Sequence, residues 1–167
     1  NKERLISEEM KNSELDYYYK IELNRHFPNS NYRYALFLMK TVKTAEEMKK
    51  AIEVLVEGVH LQSSDCLVLY SKLLLHFLGG KSADIPQCLY YLNSATQENS
   101  IEAMRELASF YSYGNSGNVS QVDPIIAMNY LQQLYFEKDA IGASRYLYTL
   151  INDSTKKSRQ ISSFCDQ

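Results

Sequence analysis

The chain has no tryptophan, only three prolines and only six glycines in 167 residues. So few helix breakers imply long regular elements joined by short connections. Charge of one sign is also missing. Eighteen Lys and Arg face twenty Asp and Glu, for a net charge of −2, so no overall positive field holds nucleic acid or an anionic membrane. There is no long apolar run. The most hydrophobic stretch, "CLVLYSKLLLHFLGG", is broken by Lys72 and His76 and is too short to span a bilayer. The three cysteines, Cys66, Cys88 and Cys165, form no CxxC pair and leave an odd thiol, which leans towards a reducing compartment. The opening "NKERLISEEM" lacks both an initiator Met and a signal-peptide apolar core, as a segment of a larger chain would. What the chain has in quantity is tyrosine, fourteen in all, within an ordinary globular balance of 45% hydrophobic and 23% charged residues. That balance excludes wholesale disorder, and tyrosine supplies rigid contact surface at low entropic cost.

Sliding the sequence along itself exposes a repeat. The stretch "IEAMRELASFYSYG" sets Ala103, Leu107, Ala108, Tyr111 and Gly114 in the order small, bulky, small, bulky, stop. The phase recurs at Ser30–Tyr34–Ala35–Leu38, at Cys66–Tyr70–Ser71–Leu74 and at Ala143–Leu147–Tyr148–Ile151, so the anchors lie 36, 37 and 40 residues apart. A second helix follows each of the first three, anchored at Ala51, Cys88 and Ala127, with Leu55, Leu92 and Leu131 one turn on. An acid, Glu47, Asp84 or Asp123, precedes each anchor by four positions. "DIPQC" and "DPIIA" read as an Asp cap with an early Pro, and "TAEE" at Thr44 reads as a capping box. The small residues act as spacers, letting two antiparallel helices approach while their bulky neighbours interlock. A leucine at Ala108 would overpack the hairpin at about 1–3 kcal/mol.

These residues resemble the Sel-1-like repeat, a branch of the tetratricopeptide-type α/α solenoids. Ala103, Leu107, Ala108, Tyr111 and Gly114, followed by "GNV" at 117–119, Asp123, Ala127 and Tyr130, follow that family's order. The second copy departs, with Cys at both anchors, and the first has Thr41 in place of the closing glycine. The spacing of 36–40 exceeds the 34 of the ordinary tetratricopeptide repeat. The resemblance implies an all-α fold, a right-handed α/α superhelix of about four repeats with incomplete ends. One domain over 1–167 is expected: 13–28 as the second helix of a truncated preceding repeat, repeats at 29–63, 64–99 and 100–139, a first helix at 140–151, and a capping helix or tail over 152–167.

Chemistry is hard to assemble. His26, His60 and His76 lack any metal-ligand spacing, and GxSxG, P-loop and GxGxxG motifs are missing. "GNSGNVS" at 114–120 reads as the loop inside a repeat, and "NVS" at Asn118 and "NDS" at Asn152 are weak glycosylation signals. The acid pairs Glu8–Glu9, Glu46–Glu47 and Glu102–Glu106 sit in polar turns and read as solvated faces. Cys66 and Cys88 fall at facing anchors and read as a buried reduced pair, a bridge needing an oxidising compartment. No cofactor is expected.

That leaves a surface. In this superfamily the first helix of each pair lines the concave side. The corresponding positions are Tyr32, Arg33, Leu36 and Lys40, then Val68, Leu69, Lys72 and His76, then Arg105, Glu106, Ser109 and Tyr113, then Arg145, Tyr146 and Thr149. Tyrosine and arginine anchor protein interfaces. The expected activity is therefore a non-enzymatic adaptor gripping another protein or peptide, with carboxylates on the partner suiting the arginines and Lys72. Its alternative is a helical regulatory or substrate-recruiting segment of a larger enzyme or complex. Nucleic acid and direct membrane insertion are not expected, and self-association through the groove is open. The cytoplasm is slightly favoured over periplasmic, secreted or endoplasmic-reticulum settings.

Overall fold

The computed structural model describes residues 2–27, 29–75, 85–114 and 122–165. Among them the protein is all-helical, with eight α-helices and no strand. They are α1 (Lys2–Asn24), α2 (Ser30–Thr41), α3 (Ala45–His60), α4 (Ser64–Leu73), α5 (Ile85–Gln97), α6 (Ile101–Tyr113), α7 (Pro124–Phe136) and α8 (Ala140–Cys165). The chain falls into two compact units, Asn1–Glu98 and Asn99–Gln167. In the first, α1 packs on α2, α2 on α3, α3 on α4 and α4 on α5, and α2 also touches α4. In the second, α7 lies against both α6 and α8.

Several helix ends follow from local sequence. Thr44 Oγ1 accepts from the Glu47 amide at 3.2 Å while Glu47 returns a carboxylate to the Thr44 amide at 3.1 Å, completing the capping box of α3. The Ser100 hydroxyl caps α6 through the Ala103 amide. The Asp123 carboxylate caps α7 through the amides of Ile125 and Ile126, with Pro124 at the first helical position. α6 stops at Gly114, whose φ of 74° favours glycine. Beyond it, the Asp123 amide donates to the Tyr111 carbonyl at 2.9 Å, fastening the entry of α7 to the end of α6.

One turn type recurs where a second helix hands over to the next first helix. His26, Gln62, Asn99 and Lys138 all have φ between 51° and 58°, at successive spacings of 36, 37 and 39 residues. In three of these turns the left-handed residue donates back three positions (His26 to Leu23, Gln62 to Val59, Lys138 to Tyr135). The following residue donates back five (Phe27 to Glu22, Ser63 to Gly58, Asp139 to Leu134). This is the Schellman arrangement, which satisfies the last carbonyls of a helix. None of the four residues is glycine, so each carries a left-handed cost of about 1 kcal/mol. Ser63 and Ser100 then serve as N-caps of α4 and α6. Asp139 does so for α8, its Oδ2 accepting from the Gly142 amide at 2.6 Å.

The spacer residues of the first three copies are buried, whereas in the fourth Leu147 and Ile151 are 48% and 60% exposed. Ala35, Ala51, Cys66, Ser71, Cys88, Ala95, Ala103, Ala108 and Ala127 are all buried, as are Leu55, Leu92, Leu107 and Leu131. Two junctions are tighter still. A methyl group at Gly58 on α3 would sit 2.3 Å from Cys66 Sγ on α4 and 2.8 Å from Asn31 Cβ on α2. One at Gly142 on α8 would sit 2.3 Å from Leu134 Cβ on α7. In both places the backbone itself forms the contact surface. Asn31 adds to the first junction by donating its side-chain amide to the Val54 carbonyl at 3.2 Å.

Two boundaries differ from the sequence-based expectation. α1 begins at Lys2 and runs through Ser13 without a break, because residues 2–12 hold neither Gly nor Pro and are mostly good helix formers. α8 likewise continues past Ile151 to Cys165, so 140–151 and the following polar segment form one helix. Asn152, Asp153, Ser154 and Thr155 weaken a helix without ending it. α4 ends at Leu73 and gives way to a π-type turn at 74–75. The expected Asp84 cap and the loop with Asn118 lie outside the described residues. Cys66 and Cys88 are both buried and neither is disulfide-bonded, and burial pushes the Cys66 thiol above its ordinary range.

Candidate functional site

In the second unit, α6 and α8 both pack on α7, and one end of the three helices is closed by a polar tie. That end is built around Asp139, only 6% of whose side chain is exposed. Its carboxylate takes the Gly142 amide at 2.6 Å and the Arg105 guanidinium reaching across from α6. Arg105 also bonds Glu102 one turn back, at 3.2 Å. The Arg105 guanidinium, followed by the Gly142 amide, holds the Asp139 carboxyl below the usual carboxylate range against the opposing effect of burial. The reciprocal effect raises Arg105. Beneath this latch, Met104, Ala108, Leu131 and Leu134 form a core, with Ile101, Tyr130 and Tyr146 against it.

One position on α8 breaks the column of small spacers. Tyr148 stands at the register of Ala35, Ser71 and Ala108, the spacer that is fully buried in the other three copies. A tyrosine there cannot enter a close hairpin, and it is 69% exposed. With Tyr113 of α6, 68% exposed, it walls a cleft of about 250 Å³ whose base includes Met128 and Leu131 of α7. Thr149 and Asn152 add polar groups on the α8 side. The arrangement offers two amphipathic rings over an apolar floor. It can clamp a side chain while hydrogen-bonding to the segment that carries it.

The sequence-selected residues are distributed unevenly around this cleft. Tyr113 and Thr149 line it. Thr149 Oγ1 donates to the Arg145 carbonyl at 2.9 Å, and Arg145 itself is exposed. Ser109 is half-buried. Arg105, about a third of whose side chain is exposed, is engaged by Asp139 and Glu102 inside the unit. In the first unit, Arg33 forms an ion pair with Glu22 of α1 at 2.9 Å. Tyr32 and Lys72 are half-buried and Lys40 is exposed, while Val68 is buried in the core. His76 lies outside the described residues. Sequence reading missed Tyr148 and Asn152. The available signal was the break in the spacer column, small in three copies and tyrosine in the fourth.

The first unit has a mixed-charge cleft of about 440 Å³ between α1, α2 and the start of α3, lined by Asp16, Phe37, Lys43, Glu47 and Lys50. Its carboxylates have structural partners. Asp16 accepts the Tyr34 hydroxyl at 2.9 Å and pairs with Lys20. Burial raises its pKa, but these bonds prevail and the carboxyl lies below its ordinary value. Burial and the same bond raise the Tyr34 hydroxyl. Glu47 accepts the Lys43 amide at 2.7 Å and the Thr44 amide, which lower its carboxyl. Neither acid is free to shuttle a proton. Among the described residues no three His, Cys, Asp or Glu side chains gather as a metal site, and no helix is long and apolar enough to cross a membrane.

No family model matches the chain, and neither a curated protein nor a solved structure matches it.

Proposed function

We propose that the chain is a Sel-1-like, tetratricopeptide-type helical repeat protein that acts without catalysis, holding a peptide or domain of another protein. Its hairpins would belong to a right-handed α/α superhelix of about four repeats. The recurrence of one left-handed turn at 36, 37 and 39 residues supports that reading, because it restates the sequence period in backbone geometry. For binding, the carrying observation is the α6–α8 cleft, where two tyrosines stand largely exposed over Met128 and Leu131. Isolated exposed apolar side chains are ordinary. Two exposed tyrosines lining one cleft together with Met128 and Leu131 have the make-up of an interface hot spot. Thr149 and the Asp153 carboxylate, both lining the cleft, suit the backbone amides of a bound segment.

The test is comparative capture from native lysate, with the wild-type chain and Tyr113→Ala/Tyr148→Ala as baits and bound proteins identified by mass spectrometry. The proposal expects partners retained by the wild type to be lost from the double variant, at unchanged helical circular dichroism. An identical set on both baits would remove the cleft from consideration.

A further inference from the structure

α3 carries two apolar stripes, and among the described residues only one is fully buried in its own unit. Ala51, Val54, Leu55, Gly58 and Val59 are buried against its neighbours. A second stripe, Ala45, Met48, Ile52 and Val56, recurs every three or four residues and so follows one side of the helix. It forms the floor of a shallow, largely apolar trough of about 530 Å³ whose walls are side chains of α3 itself. Met48 is 36% exposed. Along one edge of the stripe run Lys49, Glu53, Glu57 and His60, all exposed.

We propose that this stripe is a self-association surface, on which α3 of a second copy packs antiparallel. The charge order selects that occupant. A two-fold axis perpendicular to two antiparallel helices brings the same edge of each helix together in opposite directions. With the axis beside Ile52 and Glu53, Met48 meets Val56 of the second copy and Ile52 meets its own equivalent. On the edge, Lys49 then faces Glu57 and Glu57 faces Lys49, while Glu46 at the start of the helix faces His60 at its end. A parallel two-fold pairing would instead set this edge against the opposite edge of the partner helix, which holds the buried Ala51 and Leu55, and would leave Lys49 and Glu57 unpaired with each other. Edge charges fix partner and orientation in paired helices in this way. The one unfavourable contact is Glu53 against Glu53 at the axis, which limits affinity and provides a handle. A single four-turn seam is smaller than the roughly 800 Å² per partner of standard interfaces, so the dimer is weak and concentration-dependent. The surface is separate from the α6–α8 cleft and stands or falls independently of it.

Sedimentation equilibrium of the 167-residue chain from about 10 to 500 μM reads the prediction. The wild type dimerises reversibly across this range. Lys49→Glu alone and Glu57→Lys alone each weaken dimerisation about tenfold, since each change converts two attractive contacts into repulsive ones. An equimolar mixture of the two variants restores both ion pairs and re-forms a heterodimer at least as tight as the wild type. Glu53→Gln tightens the wild-type dimer. These substitutions are exposed, and circular dichroism checks that each variant stays helical. A chain that is monomeric at every concentration overturns the proposal, as would capture of a different protein's helix by a monomeric α3. A dimer in which the mixed variants show no preference for each other overturns it equally.

Discussion

The α3–α4 and α7–α8 junctions are built to the same plan with the parts exchanged. Both have a Schellman turn with a non-glycine left-handed residue, Gln62 in one and Lys138 in the other. Both have a glycine whose missing side chain lets two helices touch. In the first, the glycine is Gly58 on the earlier helix and the filling group is Cys66 on the later one. In the second, Leu134 on the earlier helix fills the space left by Gly142 on the later one. Close packing is thus a property of the pair of positions, and either member can be the small one. The second junction adds a latch that the first lacks in this form, since its N-cap is a buried carboxylate tied to Arg105 on a third helix.

Breaking the first junction should have the largest effect. Gly58→Leu forces a branched chain against Cys66 and Asn31, and overpacking of this kind costs about 3 kcal/mol. The midpoint of urea denaturation should fall accordingly, and Gly58→Ala/Cys66→Ala should be less destabilised than the Ala change at Gly58 alone. Removing the latch comes next. Asp139→Ala loses both the cap and the Arg105 contact, at about 2 kcal/mol. Asp139→Asn keeps a capping oxygen and should lose about half as much. The sign with pH follows from the lowered carboxyl of Asp139. Its contribution is fully present above the ordinary carboxylate pKa of about 3.9 and disappears as pH falls through the lower folded-state value. The gap between wild type and Asp139→Asn should therefore close in acid. The smallest effect concerns the shared turn. Gln62→Gly and Lys138→Gly should each raise stability by about 0.5 kcal/mol, because glycine meets no steric cost at positive φ. A loss at either position would mean that the side chain contributes more than the turn costs.

Much of this was readable beforehand because the signals are local. The Thr44 box, the Asp123–Pro124 start and the Gly114 stop each depend on residues within four positions of one another. The spacer columns were readable because a repeat samples the same environment several times. What escaped was either unpunctuated or non-local. The full lengths of α1 and α8 escaped because weak helix formers such as Ser13 and Asn152 do not break a helix once it has begun. The engagement of Arg105 escaped because Asp139 is 34 residues away. The exchange of Gly58 for Gly142 escaped because the glycine and the group that fills its space lie on different helices, Cys66 facing Gly58 and Leu134 facing Gly142.

The most direct test of paired complementarity is a double-mutant cycle between Leu134 and Gly142, read by urea denaturation. In the wild-type background, Gly142→Ala should cost about 1–3 kcal/mol, since its methyl group collides with Leu134. In a Leu134→Gly background the same change should be neutral or should stabilise by up to about 1 kcal/mol, the helix preference of alanine over glycine. Equal effects in the two backgrounds, within about 0.3 kcal/mol, would contradict the account.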